Sequence, residues 1–387
     1  MRYRVYVNQN NTAIGFRGQY ALPDTPVIAD EAVPEHIREV EGIPNVSYVR
    51  TVDDENLNHF ALTLEHMFKT KNHRIRILFR REVGIGDILL SALALESLYY
   101  HYRDRIVIDY WAPFAPAREV LWFNPNIRQI YDDSITGYED VRDAFDIFVD
   151  LHKHMGHKSA IDFYEPEVYE YMRWPNVNKG RAEIWCEYFG VEPVTFVPKI
   201  YLAPSEIEFG KTIVRDLKIR KDRPSIGLAT EATSPDKCLP EKTVVEIGRR
   251  LNNEGFNVFL IGKHTKDITG PFINCNKHSV RTVCAMMKAM SVVMTYESML
   301  GHLAAAAGTP QVCVYGRFDA RQSMRKYPFI KFFGIHKRLG KKCPAGRPCW
   351  HHFPGKCRLE CVREVKPDDV AGQLIAHYKD TRDVHRP

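Results

Sequence analysis

Residues 75–95 read IRILFRREVGIGDILLSALAL, and the organisation of the chain follows from this stretch. Ile75 to Phe79 is a short apolar run flanked by arginines; Gly84 and Gly86 then break the chain, and Ile88 to Tyr102 returns apolar residues at helical spacing. A second apolar run, Ile106 to Tyr110, follows. Short apolar runs joined through helices belong to strands covered on both faces, which predicts βαβ units and a parallel sheet.

The same rhythm extends outward. Phe145 to Asp150 reads as a further strand. Later the runs Pro224–Ala229, Asn257–Gly262, Ser291–Thr295 and Gln311–Gly316 alternate with helical stretches at Glu241–Glu254, Val280–Met290 and His302–Ala307. Two such halves predict two Rossmann-like α/β domains, broken between Pro193 and Pro224, where Pro193, Pro198 and Pro204 interrupt the pattern. We divide them as residues 58–200 and 201–366. Residues 1–57 alternate apolar and polar positions at Tyr3, Val5 and Val7, carry turn signals and include a short helix near Glu35–Val40, which predicts a small β-rich N-terminal module.

Composition bounds the class. The chain has 387 residues, 44% hydrophobic and 26% charged, which excludes a disordered or fibrous protein. No stretch approaches the ~18 uninterrupted apolar residues of a membrane span, and Met1-Arg-Tyr-Arg-Val lacks a signal-peptide run. The expected location is the cytoplasm, either free or peripheral at a membrane face. The net charge of +6 is unevenly spread: residues 331–363 hold nine Lys or Arg against one acid, Glu360. Such a patch suits phosphate groups of a nucleotide, a nucleic acid or an anionic glycan, or is a solvated basic loop.

Four stretches could carry chemistry. Asp87 follows Gly84 and Gly86 between a strand and a helix, at the sheet edge where open α/β folds bind ligands; an ordinary helix cap is the competing reading. Thr233, Ser234 and Lys237 lie in a loop before a helix and could cradle phosphate, or cap an ordinary βα turn. Glu297, Ser298, Met299, Gly301 and His302 open a helix of small residues whose free N–H groups would face an anion; a buried structural His302 is the alternative. Cys343, Cys349, Cys357 and Cys361, with His351 and His352 between them, could bind a structural zinc or iron, form labile disulfides or pack as thiols.

Taken in order, these stretches resemble the ADP-heptose:lipopolysaccharide heptosyltransferases, inverting glycosyltransferases of GT-B fold. The likeness runs through Ile77–Leu95, Thr233–Pro240, Glu297–Pro310, Tyr315-Gly316 with Asp319 and the cysteine segment, over about residues 74–380. It implies two Rossmann-like domains facing a cleft, with a terminal helix, residues 367–387, crossing back to the first domain. It also implies an enzyme that moves a sugar, heptose-type or another hexose, from a nucleotide-diphosphate donor to an acceptor hydroxyl. In that family the residue matching Asp87 is the general base; Arg81 would orient Asp87 or the acceptor. Thr233, Ser234, Lys237 and the Glu297–His302 stretch match positions that hold the donor's phosphates, with no catalytic metal. The family's Asp-Ser/Thr-Gly appears here as Glu297-Ser298-Met299, so the donor sugar is not fixed by the likeness. A surface glycan is the expected acceptor. A hydroxylated DNA base, a protein side chain, or a non-catalytic nucleotide-binding relic are the alternatives.

Overall fold

The computed structural model describes residues 2–8, 14–16, 19–21, 26–30, 34–53, 59–81, 84–132, 144–151, 180–230, 232, 237–262, 270, 272–275, 278–316, 320–335 and 360–383. The first of these form β1 (Arg2–Asn8), β2 (Ile14–Phe16), β3 (Gln19–Ala21), β4 (Pro26–Asp30), α1 (Pro34–Glu41) and β5 (Val46–Asp53). β1 lies between β4 and β5, antiparallel to both, and β2 pairs with β3. Tyr6, in the middle of β1, is buried, and its hydroxyl donates to Glu41 Oε1 at 2.8 Å, tying α1 to this small sheet.

α2 (His59–Thr70) then leads into β6 (Ile75–Arg80), α3 (Ile85–Tyr102), β7 (Ile106–Trp111), α4 (Ala115–Leu121), β8 (Gln129–Tyr131), β9 (Ile147–Asp150) and α5 (Arg181–Phe189). The strands form a parallel sheet in the order β8-β7-β6-β9. α3 is apolar almost all round because it is sandwiched: Leu89, Leu93 and Leu95 are buried along it, and α5 packs beside it.

The second parallel sheet has the order β12-β11-β10-β13-β14-β15. Its elements are α6 (Pro204–Leu217), β10 (Ser225–Ala229), α7 (Glu241–Asn253), β11 (Asn257–Ile261), β12 (Ile273–Cys275), α8 (Val280–Lys288), β13 (Val292–Tyr296), α9 (Met299–Ala307), β14 (Gln311–Tyr315), α10 (Arg321–Met324) and β15 (Ile330–Gly334). The four inner strands are buried at every residue, which is why they read as continuous apolar runs. Among the described residues the chain ends with α11 (Glu360–Arg363) and α12 (Pro367–Thr381).

α12 corrects one expectation. Rather than returning to the first domain, it packs on α7, β13 and β14 of the second. Val370, Ala371 and Leu374 form its buried stripe, Tyr378 meets the Phe256 ring edge-on at 5.3 Å, and His377 Nε2 donates to Phe329 O at 2.8 Å.

Both sheets contain a point where strand order reverses, and both points matter for function. In the first sheet β6 has β7 on one side and β9 on the other; in the second, β10 lies between β11 and β13. In open parallel sheets the connections on either side of such a point diverge, leaving a crevice beyond the carboxyl ends of the strands. Asp87 lies just past β6, Lys237 past β10 and Glu297 past β13.

Candidate active site

The first half of the site is built around Asp87. Gly84 immediately precedes α3 with φ 79°, a left-handed conformation that a side chain would strain, and a Cβ there would also collide with Asp87 Oδ2. Gly84 therefore occupies the cap position, and Asp87, three residues on, is not the capping residue. Its side chain is one quarter exposed, and Oδ2 accepts from Arg81 Nη2 at 2.8 Å. Arg81 is itself buried; it donates as well to Leu151 O, just past β9, and its guanidinium lies 5.8 Å from the Trp185 ring on α5. Arg81 thus bridges the two strand ends flanking the first switch point and fixes one carboxylate oxygen of Asp87 there.

The second half is the start of α9. Ser298 is its cap residue, with an extended backbone; its carbonyl accepts from Gly301 N at 3.1 Å and His302 N at 3.4 Å, and its buried Oγ has no hydrogen-bond partner. The first amides of a helix point out of its end and carry the positive end of its dipole. Lys237 Nζ donates to Glu297 Oε2 at 2.5 Å and to Glu297 O at 3.3 Å, while Ser323 Oγ donates to Glu297 Oε1 at 3.4 Å. A lysine charge is therefore held beside the α9 N-terminus. His302 is buried, with Nδ1 at 2.6 Å from the Tyr327 hydroxyl. Gly301 faces inward: a Cβ would lie 2.7 Å from Met324 Cε and 2.8 Å from Tyr296 O, so packing demands the glycine.

The two halves meet. A Cβ at Gly86 would lie 2.7 Å from His302 Cδ2 and 3.5 Å from the Met299 nitrogen, so the N-terminal ends of α3 and α9 touch across the two sheets. Asp87 follows Gly86 directly. A carboxylate from the first sheet and a lysine, a histidine and a helix N-terminus from the second thereby lie near one junction between the sheets. That arrangement suits a base acting on a hydroxyl opposite an anionic leaving group.

Of the residues singled out by sequence, the structure brings Asp87, Arg81, Lys237, Glu297, Ser298, Met299 and His302 together, with Gly301 behind them. Thr233 and Ser234 lie outside the described residues, as do Cys343, Cys349 and Cys357; of Cys361 only the helical backbone is described. Sequence reading missed Tyr327, Trp185 and Ser323. No local pattern marks them, because each acts on a residue distant in the chain.

Residues 169–328 match the family model described as glycosyltransferase family 9 (heptosyltransferase). No curated protein matches the chain. Among solved structures, a glycosyl transferase family 9 protein of Veillonella parvula superposes with a TM-score of 0.60 at 15% identity, covering 80% of this chain and 98% of that one. The ADP-heptose LPS heptosyltransferase II of E. coli gives 0.58 at 17% identity, covering 80% and 100%. TibC of enterotoxigenic E. coli, an iron-containing dodecameric glycosyltransferase, gives 0.57 at 13% identity and covers 98% of this chain and 92% of its own. Two parallel-sheet domains meeting at their switch points, with these likenesses, define the GT-B fold. Within that fold, residues 169–328 are similar to the heptosyltransferases of glycosyltransferase family 9. Among the described residues no helix is long and apolar enough to cross a membrane.

Proposed function

We propose that the protein transfers a sugar, heptose-type or another hexose, from a nucleotide-diphosphate donor to a hydroxyl of a surface glycan, with inversion at the anomeric carbon. The observation that supports this reading is the meeting of Gly86 with His302 and the start of α9, directly beside Asp87 in the chain. Asp87 accepts the proton of the acceptor hydroxyl as its oxygen attacks C1, and Arg81 holds the carboxylate in place. The diphosphate departs on the other side, toward Lys237 and the first amides of α9, whose positive charge and N–H groups offset the charge that develops as the C–O bond breaks. His302 supplies a further hydrogen bond there. Two structural neighbours, one an ADP-heptose LPS heptosyltransferase and the other a heptosyltransferase in complex with ADP-D-beta-D-heptose, support an ADP-linked donor.

Cys343, Cys349, Cys357 and Cys361 provide a four-thiol donor set that fits a structural zinc or iron, and the iron content of TibC supports this assignment. Calorimetry against a panel of ADP-, UDP-, GDP- and CMP-sugars tests the donor reading. Saturable binding of one nucleotide class is expected, and no binding to any of them refutes it.

A further inference from the structure

Among the described residues, two clusters of charged side chains join the domains, and they differ in character. One centres on Arg281 of α8, which is almost fully buried; it donates to Glu119 O of α4, to Tyr201 O in the linker and to both carboxylate oxygens of Glu206. It fastens the second domain at the connector between the two. The other centres on Glu183 of α5, whose Oε2 accepts from Arg325 Nη2 at 3.0 Å and whose Oε1 accepts from Lys326 Nζ at 2.6 Å. Lys326 is 42% exposed, so water can compete for this contact far more readily than for the Arg281 one.

The Glu183 contact connects the supports of the two catalytic halves. Trp185, two residues along α5, lies against the Arg81 guanidinium that holds Asp87. Tyr327, next to Lys326, holds His302 Nδ1, and His302 in turn faces Gly86. The path from Asp87 through Arg81 and α5, across to residues 325–327 and His302, closes on Asp87 again through Gly86. The bond between Glu183 and Arg325/Lys326 is the link in this ring that bridges the domains through partly exposed charges.

We infer that Glu183 is a positioning residue: its bridge to Arg325 and Lys326 is an interdomain latch that sets the closed approach of Asp87 to the donor site. The inference rests on the transferase reading only for its effect on turnover; the latch itself concerns domain geometry. Glu183 also accepts from Gly180 N at 2.6 Å, which stabilises the start of α5. Removing the whole side chain would therefore confound two roles. Glu183→Gln keeps an acceptor for Gly180 and loses the charge, whereas the pair Arg325→Met with Lys326→Met breaks the same contact and leaves α5 untouched.

The test is made on the full chain, with small-angle X-ray scattering and steady-state transfer measured for Glu183→Gln, for Arg325→Met/Lys326→Met and for the three changes combined. The latch predicts a larger radius of gyration in each variant and a kcat lower by about tenfold with donor KM changed by less than about threefold. The combined variant should be no worse than Arg325→Met/Lys326→Met, which already lacks the Glu183 contact and also the Lys326 ammonium over the Phe196 ring. Wild-type scattering in both parental variants overturns the latch, whether or not transfer is observed. An enlarged radius of gyration with wild-type kcat overturns the positioning role. Absence of transfer by the wild-type chain with every donor counts against the proposed function and leaves the scattering result to decide the latch.

Discussion

Gly86 and His302 are 216 positions apart in the chain and touch: a single added methyl on Gly86 would lie 2.7 Å from the imidazole. Gly86 shows no positive φ, so its backbone does not require glycine. What requires it is the approach of two helix ends, one from each sheet.

Gly86→Ala is accordingly a separation of stability from function. Alanine in a first helical turn favours the helix by up to about 1 kcal/mol, which offsets part of the cost of displacing the buried His302 ring, so the melting temperature should fall only modestly. Activity should nevertheless drop by on the order of tenfold or more, because α9 must shift by a few tenths of an ångström or further. Paired thermal melts and initial rates check this. An alanine variant with wild-type kcat would mean that the contact is not maintained during turnover.

Lys237→Ala should weaken donor binding by about 1.5–3 kcal/mol, the usual contribution of a charged hydrogen bond, as read by calorimetry. The pairing with Glu297 sharpens this expectation. If Glu297 only neutralises Lys237, Glu297→Gln should tighten donor binding; if it orients the ammonium, Glu297→Gln should weaken it. In either case Lys237→Ala must be the weaker binder of the two.

Acid sensitivity should arise in part from His377. Its Nε2 donates to Phe329 O and its buried Nδ1 has no partner, so the folded protein holds the neutral ring; burial depresses its pKa, outweighing the carbonyl bond that raises it. A depressed base binds its proton in the unfolded chain before it does in the folded one. Stability should therefore fall as pH drops below about 6.5, the ordinary histidine value, and be insensitive to this group above it. His377→Gln, which can still donate to Phe329 O, should flatten the dependence of Tm on pH between about 5.5 and 7. An unchanged slope would contradict the neutral assignment.

The cysteine segment makes a prediction of its own. Protein purified without added metal should contain about one zinc or iron per chain, and chelation should lower Tm while donor binding survives. Cys349→Ser should act in the same direction. Metal-free protein with four unmodified thiols would refute the site.

The strands most legible in the sequence were those buried on both faces. Ile75–Arg80 and Val292–Tyr296 are apolar runs between breakers, and the structure has them as central strands. β8, β12 and β15 went unread because they are short edge strands; in β12 exposed Asn274 stands between two buried residues, and five residues cannot reveal a period. Asp87, Lys237 and His302 were legible because each follows a strand end, where parallel sheets place ligands. Tyr327, Trp185 and Glu183 were not. The reach from Glu183 to Arg325 spans 142 positions, and nothing local distinguishes either residue from an ordinary surface charge. The terminal helix was misplaced for a similar reason: its apolar stripe says that it packs, not on which domain.

The measurement that bears most directly on the mechanism is single-turnover transfer by Asp87→Asn with the natural acceptor, alongside donor binding by calorimetry. The amide oxygen can still accept from Arg81, so the local geometry should persist while the basic carboxylate is lost. Transfer should fall by about 10²–10⁴-fold with donor affinity nearly unchanged. Near-normal transfer by Asp87→Asn would show that the carboxylate is not the base and would contradict the mechanism.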